Sequence, residues 1–183
     1  MELMKAEVGA SGKDQRGTSL DVLGRQWRLI AEEIIGGHVA RRHSRPYMAF
    51  VELFHDGKKK TCGGFLVEED IVMTAAHCLG RISENEQTSK LHEVDLTIQG
   101  HFQCECRFRN YYRTSQLCVG DPQKMMSSFK GDSGGPLVCN NVAQAIVSSG
   151  SEKGAPPSIF IKISSFLPWI KKTIKGLHLE ESP

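Results

Sequence analysis

The chain has 183 residues, 39% hydrophobic and 24% charged, with 23 basic against 21 acidic side chains for a net charge of +2. It is long enough for one ordinary domain or two small ones, too evenly charged to live on phosphate neutralisation as nucleic-acid binders do, and apolar enough to exclude disorder over most of its length. No apolar stretch approaches the roughly 18 residues of a membrane span, and six cysteines point to an oxidising compartment.

In chain order, residues 1–33 read as a loose N-terminal extension. A secretory signal needs about 7–15 continuous apolar residues after a basic start. The best run here is Leu29-Ile30-Ala31, between Arg28 and Glu32. The extension is therefore read as lacking a signal peptide, and secreted-type cysteines without one point to a wrongly started or alternative first exon. Residues 21–33 suit an amphipathic turn or two, while Gly12, Gly17 and Gly24 loosen the rest.

From Ile34 the texture changes to short β-rich runs: residues 47–54 (YMAFVELF), 64–67 (GFLV), 71–74 (IVMT), 94–99 (VDLTIQ), 136–139 (PLVC), 145–148 (AIVS) and 159–163 (IFIKI). Turn signals such as Asp56-Gly57 and the stretch 150–157 separate them. Many short strands with regular turns predict an all-β sandwich or barrel. Ser164 or Ser165 then caps one closing helix, expected over residues 164–176. In it Phe166, Trp169, Ile170 and Ile174 fall at helical spacing, and Pro168 sits in the first turn, where it is tolerated. Lys171, Lys172 and Lys175 suit the C-terminal end of the helix dipole, and residues 177–183 read as a polar tail. Residues 81–90 (RISENEQTSK) form a polar patch, either a surface loop or the join where a block is missing.

Three motifs carry chemistry. In Gly131-Asp132-Ser133-Gly134-Gly135-Pro136, a serine between glycines sits on a tight turn with its hydroxyl exposed. Its small neighbours let the N–H groups of Gly131 and Ser133 converge on a developing oxyanion. In Thr74-Ala75-Ala76-His77-Cys78, a general base stands beside a cysteine that can anchor it in one orientation. Ile34-Ile35-Gly36-Gly37 is a strand–turn junction that, beside the other two, looks like an activation terminus. There a freed α-amino group at Ile34 would pair with a buried Asp132.

In this order the motifs resemble the chymotrypsin-like serine proteases. The wider texture is similar to that of granzymes and mast-cell proteases: IIGGHVARRHSRPYMAF, CGGFLVEEDIVMTAAHCLG, LCVGDPQK, SFKGDSGGPLVCNNVAQAIVSSG and ISSFLPWIKKTIK. The resemblance implies an all-β, chymotrypsin-like double six-stranded β-barrel, truncated in the first barrel, with a C-terminal α-helix. On that reading residues 34–176 are an incomplete protease domain: 34–80 the first-barrel remnant, 88–163 the second barrel, 164–176 the helix. It further implies that His77 is the general base, Ser133 the nucleophile, and Gly131 and Ser133 the oxyanion-hole donors. Ser127 and Ser158 would floor the specificity pocket and Ser148, Ser149 and Gly150 would wall it, which suits a large apolar or aromatic side chain.

The resemblance also implies disulfides Cys62–Cys78, closing a loop of about 16 residues worth roughly 3 kcal/mol, and Cys104–Cys118. Cys139 and Cys106 are then left to pair with each other or to remain thiols. A zinc reading of Cys104, Cys106 and His101 has the wrong spacing for usual structural sites, and no metal or cofactor is expected. The third member of the triad is missing. In the family an Asp lies in a D-I-x-L-L-x-L strand after the His, and between Cys78 and Ser133 the aspartates are Asp95, Asp121 and Asp132, none in that context. A block after Gly80 is expected to be lost, carrying the Asp strand, about half of the first barrel and the start of the second.

These expectations give a granzyme- or chymase-type serine endopeptidase by family, acting on protein or peptide substrates. As written it is expected to be inactive for want of the Asp. By family it would be secreted or held in a cytolytic or secretory granule. Basic residues at Arg41, Arg42 and Arg45, at Lys58–Lys60 and on the closing helix leave room for binding granule proteoglycan or heparin. A non-enzymatic heparin-binding homologue and an unproductive splice or gene-model product are the alternatives.

Overall fold

The computed structural model describes residues 1–5, 12–13, 18–20, 34–55, 58–79, 91–151 and 153–179. The predicted turn at Asp56-Gly57, the amphipathic reading of residues 21–33 and the polar patch 81–90 lie outside these.

The first half is one antiparallel sheet around three strands. Met48–His55 (β5), Lys58–Leu66 (β6) and Ile71–Thr74 (β7) form a meander, in register from Met48 opposite Phe65 to His55 opposite Lys58, and then from Phe65 opposite Met73. The run Ile71-Val72-Met73-Thr74 shows no alternation because it is buried on both faces, at 0 to 1% exposure. Val72 packs with Val51, Cys62, Ala75 and Cys78 on one side. Met73 packs with Met48, Phe65, Ile146 and Ile170 on the other.

Within residues 1–33, read from the sequence as a loose extension, the described residues form short strands. Glu2–Lys5 (β1) pairs antiparallel with β7, Glu2 opposite Thr74 and Lys5 opposite Ile71. Gly12–Lys13 (β2) pairs with Thr18–Leu20 (β3), and β3 pairs with β5. The sheet order is therefore β1-β7-β6-β5-β3-β2. The physical reason is in β1: Leu3 and Met4 are 5% and 7% exposed, facing opposite cores. Burying two such side chains contributes about 1.5–3 kcal/mol each.

His38–Val39 (β4) and His92–Glu93 (β8) make a two-stranded pair. The predicted run 94–99 is a strand only at its end, Ile98–Gln99 (β9). After a short helix His101–Glu105 (α1) come Gln116–Val119 (β10), Pro136–Cys139 (β11), Val142–Ser149 (β12) and Ser158–Lys162 (β13). They form a five-stranded sheet in the order β11-β12-β13-β10-β9. The β11–β12 hairpin turns on Asn140 and Asn141, at φ 50° and 59°, the left-handed pair that a two-residue hairpin needs and that asparagine tolerates. Neither sheet closes into a barrel among the described residues, in keeping with truncation.

A 3-10 turn, Ile163–Phe166, leads into the helix Leu167–Leu179 (α2). Ser165 does not cap it; its hydroxyl donates to the Thr114 carbonyl at 2.7 Å. Two expectations are corrected here. Trp169 is 39% exposed, so the buried stripe is Ile170 with Phe166, Ile174 and Leu177 beside it. The helix also runs past residue 176, because Leu177 packs into that stripe and the His178 ring sits 2.6 Å from the Glu68 carboxylate.

Candidate active site

His77 stands in the 3-10 turn Ala76–Leu79 that follows β7, and its side chain is exposed. The strand delivers it and a disulfide fixes it. Cys78, next in the chain, bonds to Cys62 in β6 across 16 residues, and both sulfurs are buried.

Ser133 lies in the loop before β11, and that loop is docked onto the first sheet by its backbone. Gly63 N–H donates to the Ser133 carbonyl at 2.8 Å, and the Cys78 sulfur lies 3.7 Å from the same oxygen. On the other side, Gly134 N–H donates to Val147 O, and Val147 N–H to Gly135 O, both at 2.9 Å. The serine is thus held between β6 and β12. Its backbone touches the cysteine adjacent to His77.

Gly134 makes this docking possible. Its φ is +85°, and a Cβ there would lie 2.2 Å from Thr74 Oγ1 and 2.3 Å from Gly63 O. Thr74 in turn donates its hydroxyl to Gly63 O at 2.7 Å, buried. Sequence reasoning picked out Gly131 and Ser133 in the glycine-rich run. It missed the contact surface, Gly63, Thr74 and Val147, whose only signal in the sequence is that the run needs a glycine after the serine.

The two predicted floor residues meet. Ser127 and Ser158, each 1% exposed, place their hydroxyls 3.2 Å apart. Ser127 also donates to Ser128 O at 3.0 Å. A Cβ on Gly150 would come within 2.7 Å of Ser158 Oγ, so the end of β12 passes directly over this pair. Ser148 is half-buried, and Ser149 and Gly150 are exposed.

Ile34 and Asp132, the predicted activation pair, both line a cavity of about 600 Å³. Asp132 is 3% exposed, and its Oδ2 accepts the Phe129 N–H at 2.7 Å. The strand-like segment after Ile34 is bound across Ser127, with Ile35 N–H to Ser127 O at 3.0 Å and Ser127 N–H to Ile35 O at 3.2 Å. Gly36 turns there at φ +71°, where a Cβ would strike Met125 O at 2.6 Å. The same cavity is lined by Asp95 and Glu93, and Glu93 is bridged by Arg45 at 2.9 Å. The oxyanion-hole candidate Gly131 is buried at φ +92°.

Cys104 and Cys118 form the second disulfide, across 14 residues, while Cys106 and Cys139 are free, separate and exposed. Cys104 is thereby unavailable to a metal, and among the described residues no cluster of His, Cys, Asp and Glu could hold one. His101 is engaged elsewhere, its Nδ1 2.5 Å from the Tyr111 hydroxyl. Near it Arg113 hydrogen-bonds Glu105 and holds its carboxyl below the usual range, while burial pushes the Tyr111 phenol up.

Comparison with known proteins settles the family. The family model described as "Trypsin" matches residues 34–88 and 79–170. The chain belongs to the trypsin family. This trypsin-family chain is 38% identical to granzyme H of Homo sapiens over 228 residues, covering 80% of this chain and 93% of granzyme H. It is 36% identical to mast cell protease 3 of Ovis aries, covering 79% and 90%, and 36% identical to granzyme B of Homo sapiens, covering 81% and 94%. A solved structure described as "Structure of GrC" superposes with a TM-score of 0.71 at 32% identity, covering 78% of this chain and 100% of that one. The trypsin-family fold and a serine protease ancestry are therefore shown.

The same alignments measure what is lacking. The granzyme H alignment spans 228 positions but takes up 80% of this 183-residue chain, about 146 residues, so roughly 80 positions face no residue here. The family model matches in two pieces that overlap at residues 79–88, beside the polar patch read as a join.

Proposed function

We propose that the chain is a serine endopeptidase of the granzyme or chymase kind, with His77 as general base and Ser133 as nucleophile. Gly131 and Ser133 N–H groups serve the oxyanion, and Ile34, once freed, pairs with Asp132. The observation that carries this reading is the docking of the Ser133 loop against Gly63 and Cys78 through Gly134, which ties the nucleophile's backbone to the turn that bears His77. The buried Ser127–Ser158 pair supports an uncharged pocket floor and cleavage after large apolar or aromatic residues.

Turnover is expected to be poor. None of the aspartates between Cys78 and Ser133, namely Asp95, Asp121 and Asp132, lies in the family's triad sequence context, so the third triad carboxylate is taken to be lost. Loss of that carboxylate costs about 10⁴ in turnover in the template triad. The test is labelling with a fluorophosphonate after cleavage before Ile34, with a Phe-containing peptide amide as substrate. Slow labelling abolished by Ser133→Ala, with turnover on the order of 10⁴ below a complete relative, is expected. Labelling that Ser133→Ala leaves unchanged would overturn the assignment.

Its granzyme relatives support a location outside the cell or in a secretory granule, and among the described residues no helix is long and apolar enough to cross a membrane. Arg41, Arg42, Lys171, Lys172 and Lys175 are all exposed, which supports binding to granule proteoglycan. Retention on a heparin column that Lys171→Ala/Lys172→Ala/Lys175→Ala shortens is the expected result.

A further inference from the structure

The three-strand meander β5-β6-β7 carries a strand from before Ile34 on each of its edges, β1 on β7 and β3 on β5. These residues precede the part that matches the family, which begins at residue 34. They nevertheless occupy positions that a sheet cannot leave bare without exposing unpaired N–H and C=O groups.

The β1 strand does more than cover an edge. Its four residues pair in full with Ile71–Thr74, the strand that runs straight into the His77 turn. Leu3 is buried in one cluster with Met73, Ile146 and Ile170, a cluster drawn from the first sheet, the second sheet and α2. Met4 is buried with Val72, Cys62 and Cys78, against the disulfide that fixes His77. Adjacent residues of one strand thus seal two different cores.

We propose that the groove along β7, floored by Met73 and Ile146 on one side and Val72 and Cys78 on the other, is a strand-binding site filled in cis by Glu2–Lys5, and that the segment before Ile34 is retained as a second chain after cleavage at Glu33–Ile34. The proposal deepens the reading of Ile34 as an activation terminus and rests on it for its biological setting. Cleavage then makes a two-chain molecule and releases no activation peptide. The ligand class of the groove is an extended peptide with two successive apolar residues, which a β-strand points to opposite faces.

The experiment uses the full chain with a site-specific protease sequence inserted immediately before Ile34. The chain is cut under native conditions, the cut is verified by mass, and the product is passed over a sizing column. The expected result is co-elution of residues 1–33 with the remainder at one to one, the two separating only in denaturant. Early loss of the segment, whether the remainder stays folded or precipitates, overturns the proposal. Leu3→Ala/Met4→Ala is expected to speed loss of the segment by on the order of a hundredfold or more, and an unchanged rate would also overturn it. Retention is read from mass and fluorophosphonate labelling from Ser133, so failure of one does not mimic failure of the other.

Discussion

The sheet that carries His77 and the sheet that frames Ser133 are completed in different ways. In the first, three family-matched strands are flanked on both sides by strands from residues 1–20. In the second, all five strands fall within the family-matched residues, and the order β11-β12-β13-β10-β9 leaves β11 and β9 at its two ends. The halves share no strand; they are joined through the Ser133 loop and the cluster around Met73, Ile146 and Ile170. A domain short of roughly 80 aligned positions can hold its Ser133 loop in place when the contacts around that loop come from short stretches on either side of the gap.

The largest expected effect breaks the junction itself. Gly134→Ala adds a Cβ 2.2 Å from Thr74 Oγ1 at a positive φ, and strain plus overpacking should cost about 3 kcal/mol or more. Denaturant unfolding should show that loss, with labelling of Ser133 falling in parallel. Next come the disulfides, one in each half. Cys62→Ala/Cys78→Ala and Cys104→Ala/Cys118→Ala open loops of 16 and 14 residues, each worth about 3 kcal/mol. Near-equal stability losses are expected, yet only the first pair should slow fluorophosphonate labelling, because only Cys78 adjoins His77 and Ser133.

A smaller change sharpens the second half alone. Ser158→Ala leaves the buried Ser127 hydroxyl without its 3.2 Å partner but with its bond to Ser128 O, and should cost about 1 kcal/mol by chemical denaturation. The smallest effect concerns the Arg113–Glu105 pair on the surface. Arg113 lowers the Glu105 pKa, so whatever stability the pair adds is present at neutral pH and is lost as pH falls through the carboxylate range. Glu105→Gln should flatten that part of the stability–pH curve only slightly, since an ion pair at the surface adds little.

Much of the second sheet was legible in the sequence. Residues 136–139 form the strand as drawn, and the runs at 145–148 and 159–163 fall inside or nearly on β12 and β13, because their apolar residues are bounded by clear turn chemistry. The two disulfides followed from the family resemblance and are both present. Less was legible where tertiary contacts decide. Val94, Leu96 and Thr97 have strand-forming side chains, but Val94 to Leu96 line a cavity and none of residues 94–97 joins a ladder. Glu2 to Lys5 are too few to show a period, and their strand character comes from the edge of β7 beside them. Leu177 read as tail because two leucines among polar residues say nothing of the hydrophobic stripe that Leu177 joins. In the candidate site, Ser127 and Ser158 were paired by analogy and meet in space, whereas Gly63 and Val147, which dock the Ser133 loop through backbone atoms, left no side-chain signature to find.

The cavity between the approach to β9 and the outer side of β11 has one more consequence. Leu96, Leu137, Val147 and Phe160 all contribute to its wall, so that wall is apolar where it meets the second sheet. The ends of an open sheet offer a template to the same ends of another molecule. Among the described residues β9 and β11 end the second sheet, so solubility is expected to fall as concentration rises, through strand-to-strand association that light scattering would detect.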